Sequence, residues 1–257
     1  MKPFLYYELP PPPELAMHVM SFWGFEVRLP VGESQVHHIW PDGCVSLSCR
    51  VADGKPFGLG LVGPTTTARK ADVAGTFAFR GMRLRPEAAR AVLAFAPATI
   101  REQMLPAFQV FGASSLAEEV AAADAQSFAN VYGDWLTKRG APEPDAAIRA
   151  AVEVAIESHG GATVAAMAEA AGLGVRQLQR RFLDAVGITP KEYARIRRVR
   201  STLAAVLRGE RSLAALAHDL GFADQAHMTR ELGDVTGFTP TVLEDRLDRI
   251  EHENVRP

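Results

Sequence analysis

Between Thr163 and Pro240 the chain writes one pattern twice: a short apolar helix, a Gly, a second helix with an apolar stripe, then Gly-x-Thr-Pro. The first copy runs through Thr163, Val164, Met167, Ala168, Gly172, Leu173, Leu178, Phe182, Gly187, Thr189 and Pro190. The second runs through Ser212, Leu213, Leu216, Ala217, Gly221, Phe222, Met228, Leu232, Gly237, Thr239 and Pro240. The offset is 49 residues up to the inner glycine (Thr163 to Ser212, Gly172 to Gly221) and 50 beyond it (Gly187 to Gly237), so the second copy holds one extra residue at its inter-helix turn. Two helices joined at a glycine, the second with a polar outer face, are the sequence signature of a helix-turn-helix.

Thr163 is placed to cap a helix whose buried side is Val164, Met167, Ala168 and Ala171, and Gly172 supplies a left-handed turn. In the following helix Val175, Leu178, Phe182 and Val186 share one stripe at roughly 100° per residue, which leaves Arg176, Gln177, Arg180 and Arg181 facing outward with Gln179 at the border. Arg can pair in bidentate fashion with guanine and Gln with adenine, so this face has the chemistry of major-groove reading. In the second copy the outward set is Gln225, His227, Thr229 and Arg230. His227 carries less weight as a base reader, because a histidine so placed more often serves a structural hydrogen bond. Asp224, Glu231 and Asp234 nearby are expected to repel phosphates and weaken this half. A helix hairpin with a charged exterior is the bland alternative, and the matched duplication counts against it.

The net charge of −2 hides a segregation. Residues 176–200 carry eight basic side chains against Asp184 and Glu192, a balance of +6, whereas residues 201–257 carry six basic and ten acidic ones, a balance of −4. A charge run is ordinarily a solvated helix face. This one begins on a candidate recognition helix, which favours phosphate contact and double-stranded DNA as partner.

The expected fold class is α+β: a β-rich amino-terminal domain over 1–140 that ends in a helix, then an all-α domain over 145–250. Strands are expected around Phe22-Trp23, Gln35 to Trp40, Cys44 to Val51, Phe57 to Val62 and Val73 to Leu84, with turns at Asp42-Gly43, Asp53-Gly54 and Gly63-Pro64. Pro86 opens a helix through Ala88, Val92 and Leu93, and one long helix is expected from Ser115 towards Lys138. Gly140 to Pro144 reads as the linker. Seven helices follow, at about 145–158, 163–171, 174–186, 190–208, 212–220, 223–236 and 240–249. Cys44 and Cys49, the two cysteines, are expected as buried thiols, since five residues apart on a strand they point to opposite faces. The start lacks the apolar run of a signal peptide and no stretch has the length of a membrane span, so a cytoplasmic protein is expected.

Ala168 to Phe182, Tyr193 to Arg198 and Gly221 to Arg230 resemble the tandem helix-turn-helix domain of AraC/XylS-family transcription regulators, over about 145–247. The resemblance implies two subdomains joined by a long helix, here about 190–208, which enter successive major-groove segments on one face of DNA. It implies base reading by Arg176, Gln179 and Arg180 in the first half and by Gln225, His227 and Arg230 in the second; Arg198, from the basic run, is expected to contact DNA without base preference or to hold the linker helix. Where the family shows Phe followed by a basic residue, this chain has Leu232 and Gly233. Ser21-Phe22-Trp23-Gly24, Trp40-Pro41-Asp42-Gly43-Cys44, Gly63-Pro64 and Arg83-Leu84-Arg85-Pro86 resemble a module that precedes this domain in many regulators, which implies sensing or dimerisation. Related modules have Gly where this chain has Glu87.

Trp23, Phe25, Trp40, Phe77 and Phe79 with Arg83 and Arg85 are expected either as core and surface residues or as an apolar pocket with a cationic end; Trp23, Trp40, Phe79, Arg83 and Arg85 are its candidate ligand-binding residues. His37-His38 does not suggest a metal, because adjacent strand residues face opposite ways. No nucleophile elbow, phosphate-cradling glycine loop, zinc-protease helix or carboxylate pair is present. The expected function is a one-component transcription regulator with no cofactor and no catalysis, with a small-molecule effector, a homodimeric partner copy and RNA polymerase as partners. The alternatives are a regulatory protein whose second half docks another protein, and an enzyme in the amino-terminal domain.

Overall fold

The computed structural model describes residues 2–208, 213–240, 242–243 and 250–253. Its amino-terminal part is a seven-stranded sheet in the order β8-β5-β4-β7-β2-β1-β9, formed by β1 (Phe4–Leu9), β2 (Val19–Arg28), β4 (Ser46–Ala52), β5 (Lys55–Val62), β7 (Thr76–Leu84), β8 (Met104–Pro106) and β9 (Ile250–Glu253). All of its pairings are antiparallel except that of β9 with β1. A separate ribbon pairs β3 (Ser34–Ile39) with β6 (Arg69–Ala74).

Alternation along the strands sorts the two faces of the sheet. Phe22, Leu47, Cys49, Leu61, Met82 and Leu84 are fully buried on one face. There they meet Leu116 and Val120 of α3 (Leu116–Ala122) and Phe128, Tyr132 and Leu136 of α4 (Phe128–Arg139). Phe25, Val27 and Phe77 point the other way and pack with Phe4 and with Val73 of the ribbon. Arg80 closes the carboxy end of α3 by donating to the carbonyls of Val120 (2.7 Å) and Ala121 (3.2 Å), and the Tyr132 hydroxyl donates to the Arg80 carbonyl at 2.9 Å.

The expected strand over 73–84 is two strands, because Gly75 takes a left-handed φ of +74° and folds β6 back into β7. The expected single helix from Ser115 to Lys138 is broken as well. Asp124 draws the backbone N–H groups of Gln126 and Ser127 onto its carboxylate at 2.8 and 2.7 Å, an Asx turn that separates α3 from α4. Pro86 opens a short 3-10 turn, Pro86–Ala88, that runs into α1 (Ala89–Leu93). A second such turn, Pro97–Ile100, leads through β8 into the single-turn α2 (Phe108–Phe111).

Beyond Gly140, which ends α4 at φ +60°, six of the seven expected helices are present with ends shifted by at most two residues. They are α5 (Ala146–Glu157), α6 (Val164–Ala170), α7 (Val175–Val186), α8 (Pro190–Leu207), α9 (Leu213–Asp219) and α10 (Gln225–Thr236). The seventh, 240–249, lies largely outside the described residues. Strand β9, which returns to the amino-terminal sheet, has no counterpart in the sequence-based expectation. Both cysteines are buried and free, as expected, and burial pushes the Cys49 thiol up to about 11 and Cys44 higher still, which keeps both protonated. Among the described residues no helix is long and apolar enough to cross a membrane.

Candidate nucleic-acid interface

The sequence repeat is also a repeat of hydrogen bonds. Gly172 and Gly221 take left-handed φ values of +63° and +72°, and each is followed by the same bond, Leu173 N–H to the Ala168 carbonyl and Phe222 N–H to the Ala217 carbonyl, both at 2.9 Å. Gly187 and Gly237 end α7 and α10 at φ +89° and +81°. The extra residue of the second copy lets Asp224 stand at the start of α10, where its carboxylate accepts the His227 N–H at 2.6 Å, whereas Gly174 at the start of α7 has no capping side chain.

Each half has its own core, and α8 serves both. Tyr193 and Ile196 pack with Ile148, Met167, Leu178 and Phe182, whereas Val199 and Leu203 pack with Leu216, Phe222, Met228 and Leu232. Thr189 starts α8 with a reciprocal capping box to Glu192, and its 18 residues rise about 27 Å. Val175, expected on the apolar stripe, is 42% exposed at its edge.

Arg176, Gln177, Gln179 and Arg180 are exposed at the amino-terminal half of α7, and none of the described ion pairs involves either arginine. Gln225 and Arg230 are exposed on α10, and Thr229 is half-buried. Arg180 and Arg230 are equivalent positions of the repeat, 50 residues apart. Three other expected contact residues are turned to internal work. Arg181 forks onto Asp145 (Nη2 to Oδ1 2.7 Å, Nε to Oδ2 3.1 Å), the residue that caps α5, so it ties α7 to α5. Arg198 faces inward from α8, donating to both Glu231 oxygens at 3.0 and 3.1 Å with its guanidinium 4.9 Å over the Phe222 ring. His227 accepts the Ala223 N–H on Nδ1 (3.2 Å) and places Nε2 3.3 Å from Glu231.

The acids expected to repel phosphates are likewise occupied. Glu231 is 5% exposed between Arg195 and Arg198, and Asp234 meets Arg195 at 2.7 Å. The +6 segment is therefore less basic towards solvent than its composition implies. Arg181, Arg195 and Arg198 are paired internally, Arg197 is buried and the half-buried Arg200 acts on Glu8 and Asp42, which leaves Arg176, Arg180 and Lys191.

The amino-terminal part touches both halves, at the carboxy-terminal ends of α7 and α10 and also at α5 and α8. Arg90 pairs with Asp184 (3.0 Å) and Arg101 with Glu192 (2.8 Å). Gly187 lies so close to Pro97 and Ala98 that a Cβ would fall within 2.9 Å of their backbone. On the second half the Ala68 N–H donates to the Val235 carbonyl at 2.8 Å, His38 sets its ring edge to face against Phe238 at 4.6 Å, and Trp40 packs on the core of that half.

That placement separates the expected pocket residues. Trp40 belongs to the contact with the second half, whereas Trp23 lies over Gly81 and Phe79 packs beside Phe77 at 5.5 Å on the sheet. Arg83 is buried and spent on Asp42 (2.6 Å), Glu8 (2.7 Å), Ser21 (3.1 Å) and Tyr6 (3.2 Å), and Arg85 is held by Glu87 at 2.5 Å. Burial alone would raise the Glu8 and Asp42 carboxyls, but Arg83, aided by Arg200 of α8, holds both below their usual range. The cationic end expected for a ligand is thus neutralised inside the fold. A groove of about 330 Å³ opens elsewhere, between Leu59, Phe108, Phe111, Leu116, Ala117 and Trp135, with Phe111 and Trp135 edge to face at 5.1 Å. Its residues come from four separate elements, β5, α2, α3 and α4, and carry no local motif. His37 and His38 do face opposite ways: His37 stacks on Phe25 at 4.3 Å while His38 meets Phe238.

Residues 167–246 match a helix-turn-helix domain family, and residues 7–106 match a domain of unknown function, DUF6597. No curated protein matches the chain. Among similar solved structures is a transcriptional regulator with an AraC-type DNA-binding domain from Chromobacterium violaceum, 19% identical, covering 39% of this chain and 90% of its own, with a TM-score of 0.37. ToxT from Vibrio cholerae is 9% identical over 88% of this chain and 98% of its own, with a TM-score of 0.46. Wild-type ToxT bound to an unsaturated fatty acid is 9% identical over 94% of each chain, with a TM-score of 0.42. The duplicated motif and the two matches show that the chain carries an AraC-type helix-turn-helix domain over residues 167–246 and an amino-terminal DUF6597 module over residues 7–106.

Proposed function

We propose that the protein is a one-component, cytoplasmic transcription regulator that binds promoter DNA as a two-pronged reader. In this reading residues 145–250 bind DNA and residues 1–140 sense or dimerise. Arg176, Gln177, Gln179 and Arg180 read one major-groove segment, and Gln225, Thr229 and Arg230 read the next, about 34 Å along the same face. The observation that carries the reading is the pair Arg180 and Arg230, exposed at equivalent places of a repeat whose turn bonds after Gly172 and Gly221 are the same. Helix α8 is the rod between them, and the amino-terminal module leaves both faces open because it docks at the opposite ends of α7 and α10.

The 330 Å³ groove beside Trp135 is of effector size, and its wall at 107–112 follows closely on Pro97–Ile100, the segment packed against α7. We assign effector control to that groove, and homodimerisation and contact with RNA polymerase to the assembled complex. The reading contains no catalytic step. The alternative of a protein-docking second half drew on its acidic face, and with Glu231 and Asp234 held by Arg195 and Arg198 that face offers little free acid. The test is a gel shift of the full chain against its own promoter region at low salt. A retarded band that disappears as salt rises is expected, and no shift at any protein concentration would overturn the proposal.

A further inference from the structure

We propose that Glu231, with Arg198, is a positioning residue that sets the angle of the second recognition helix against the first, and so determines which spacing of half-sites the protein accepts. The inference rests on the DNA-binding reading above.

Three side chains from two helices meet at this carboxylate. Glu231 is buried on the inner side of α10 and receives Arg198 at 3.0 and 3.1 Å and Arg195 at 3.5 Å, both from α8. His227, one turn earlier on α10, points Nε2 at it from 3.3 Å. The Nδ1 of that ring already accepts the Ala223 N–H, so the ring proton sits on Nε2 and is directed to Glu231. A continuous chain of polar contacts therefore runs from the connecting rod, through Glu231 and His227, to the turn that precedes the recognition helix.

The first half is tied to the same point of the rod. Gly160, at φ +82°, brings the loop between α5 and α6 so close to α8 that a Cβ would lie 2.4 Å from the Arg198 nitrogen and 2.2 Å from the Ala194 carbonyl. His159 Nδ1 lies 3.4 Å from the Ser201 hydroxyl, and Gly161 approaches Gly221 of the second half's turn. Arg198 thus stands where both halves press on α8. Its guanidinium is fixed on two sides, by the Phe222 ring and by the Glu231 carboxylate. A planar fork held in this way transmits orientation, which a lysine ammonium does not.

Removing the carboxylate charge leaves two arginines facing a neutral acceptor inside the fold, and the helix is expected to roll until solvent reaches them. Neighbouring base pairs differ by about 3.4 Å in rise, so a small change of roll or tilt alters the register in which Gln225 and Arg230 meet the bases.

The experiment uses the full chain and a set of operators in which the two protected segments are moved apart or together by one base pair. Wild type is expected to prefer one spacing by about tenfold or more, on the scale of a single well-formed base contact. Glu231→Gln is expected to keep protection of the first segment within about twofold, to lose base preference at the second, and to flatten the spacing preference. Arg198→Lys is expected to do the same in weaker form, and serves if the first variant does not fold. Asp234→Asn, which removes a solvent-exposed pair to Arg195, is expected to behave as wild type. A spacing preference unchanged in both Glu231→Gln and Arg198→Lys would overturn the inference, as would a loss spread evenly over both segments. Failure of the wild-type chain to bind any duplex would overturn the DNA-binding reading itself, so the two failures are told apart by the wild-type lane.

Discussion

Arg180 and Arg181 are neighbours on α7, yet their replacement by Ala should have opposite consequences. Arg180 is exposed, enters none of the described ion pairs and sits one helical turn from Arg176. If it reads a base through a bidentate pair, its loss removes about 1–3 kcal/mol of discrimination, roughly 5- to 150-fold at one position of the site. Stability should hardly move, because exposed substitutions usually lie within about 0.5 kcal/mol and Ala is the best helix former. Arg181 is 37% exposed and bound to an Asp145 that is 32% exposed. Screening by solvent limits that pair to about 0.5–1 kcal/mol, a fall of roughly 1–4 °C in Tm for a chain of this size. Base preference should be kept, because the side chain never reaches the groove. The assay is selection from a randomised duplex pool with each variant, alongside thermal melting. Relaxed preference at one or two adjacent positions for Arg180→Ala, and an unaltered motif with a lower Tm for Arg181→Ala, are expected. The reverse pattern, or an unchanged motif in both, would refute the placement of the two residues.

Three further outcomes follow from the same geometry. Counting Arg176, Arg180, Lys191 and Arg230 as the cations that reach phosphate, the plot of log K against log salt should have a slope of about −3.6. A slope of about −6.3, as expected if Arg181, Arg195 and Arg198 also served, would show that those pairs open on DNA. Burial, reinforced by His38, pushes the His37 imidazole down to about 4 from an ordinary value of 6.5. Because the folded state favours the neutral ring, the stabilisation is complete above pH 6.5, is lost as pH falls from about 6.5 to about 4, and amounts to roughly 3 kcal/mol at most; urea melts of His37→Phe should show that slope abolished. Gly187 and Gly237 share a left-handed φ, but only Gly187 abuts the amino-terminal module. Gly187→Ala should therefore cost more than the ~1 kcal/mol of backbone strain expected for Gly237→Ala, by the steric clash with Pro97 and Ala98, and equal Tm losses would contradict the docking.

The helical half was legible to within two residues because its signals are local. Thr163 and Gly172 mark a cap and a turn wherever they occur, and the stripe of Leu178, Phe182 and Val186 orients Arg176 and Arg180 without reference to any distant residue. What escaped depends on partners remote in sequence. Nothing around Arg198 announces Glu231, nor anything around Arg181 Asp145, so an arginine of the basic run and one of the outward face both make internal ties. Arg83 could be offered as a ligand's counter-charge for the same reason, since its partners Glu8 and Asp42 lie far away in the chain, whereas Arg85 is held by Glu87, two residues on. The break between α3 and α4 was missed because the side-chain bonds of Asp124 outweigh a helical pattern of apolar residues that continues across it. The β9 pairing with β1 carries no local signature at all.

Methylation interference on the operator with the full chain tests the central claim most directly. Two guanine-containing major-groove segments, centred about 10 base pairs apart on one face of the duplex, should each be blocked. Interference confined to a single segment, or on opposite faces of the helix, would contradict an account in which α7 and α10 read DNA together across α8.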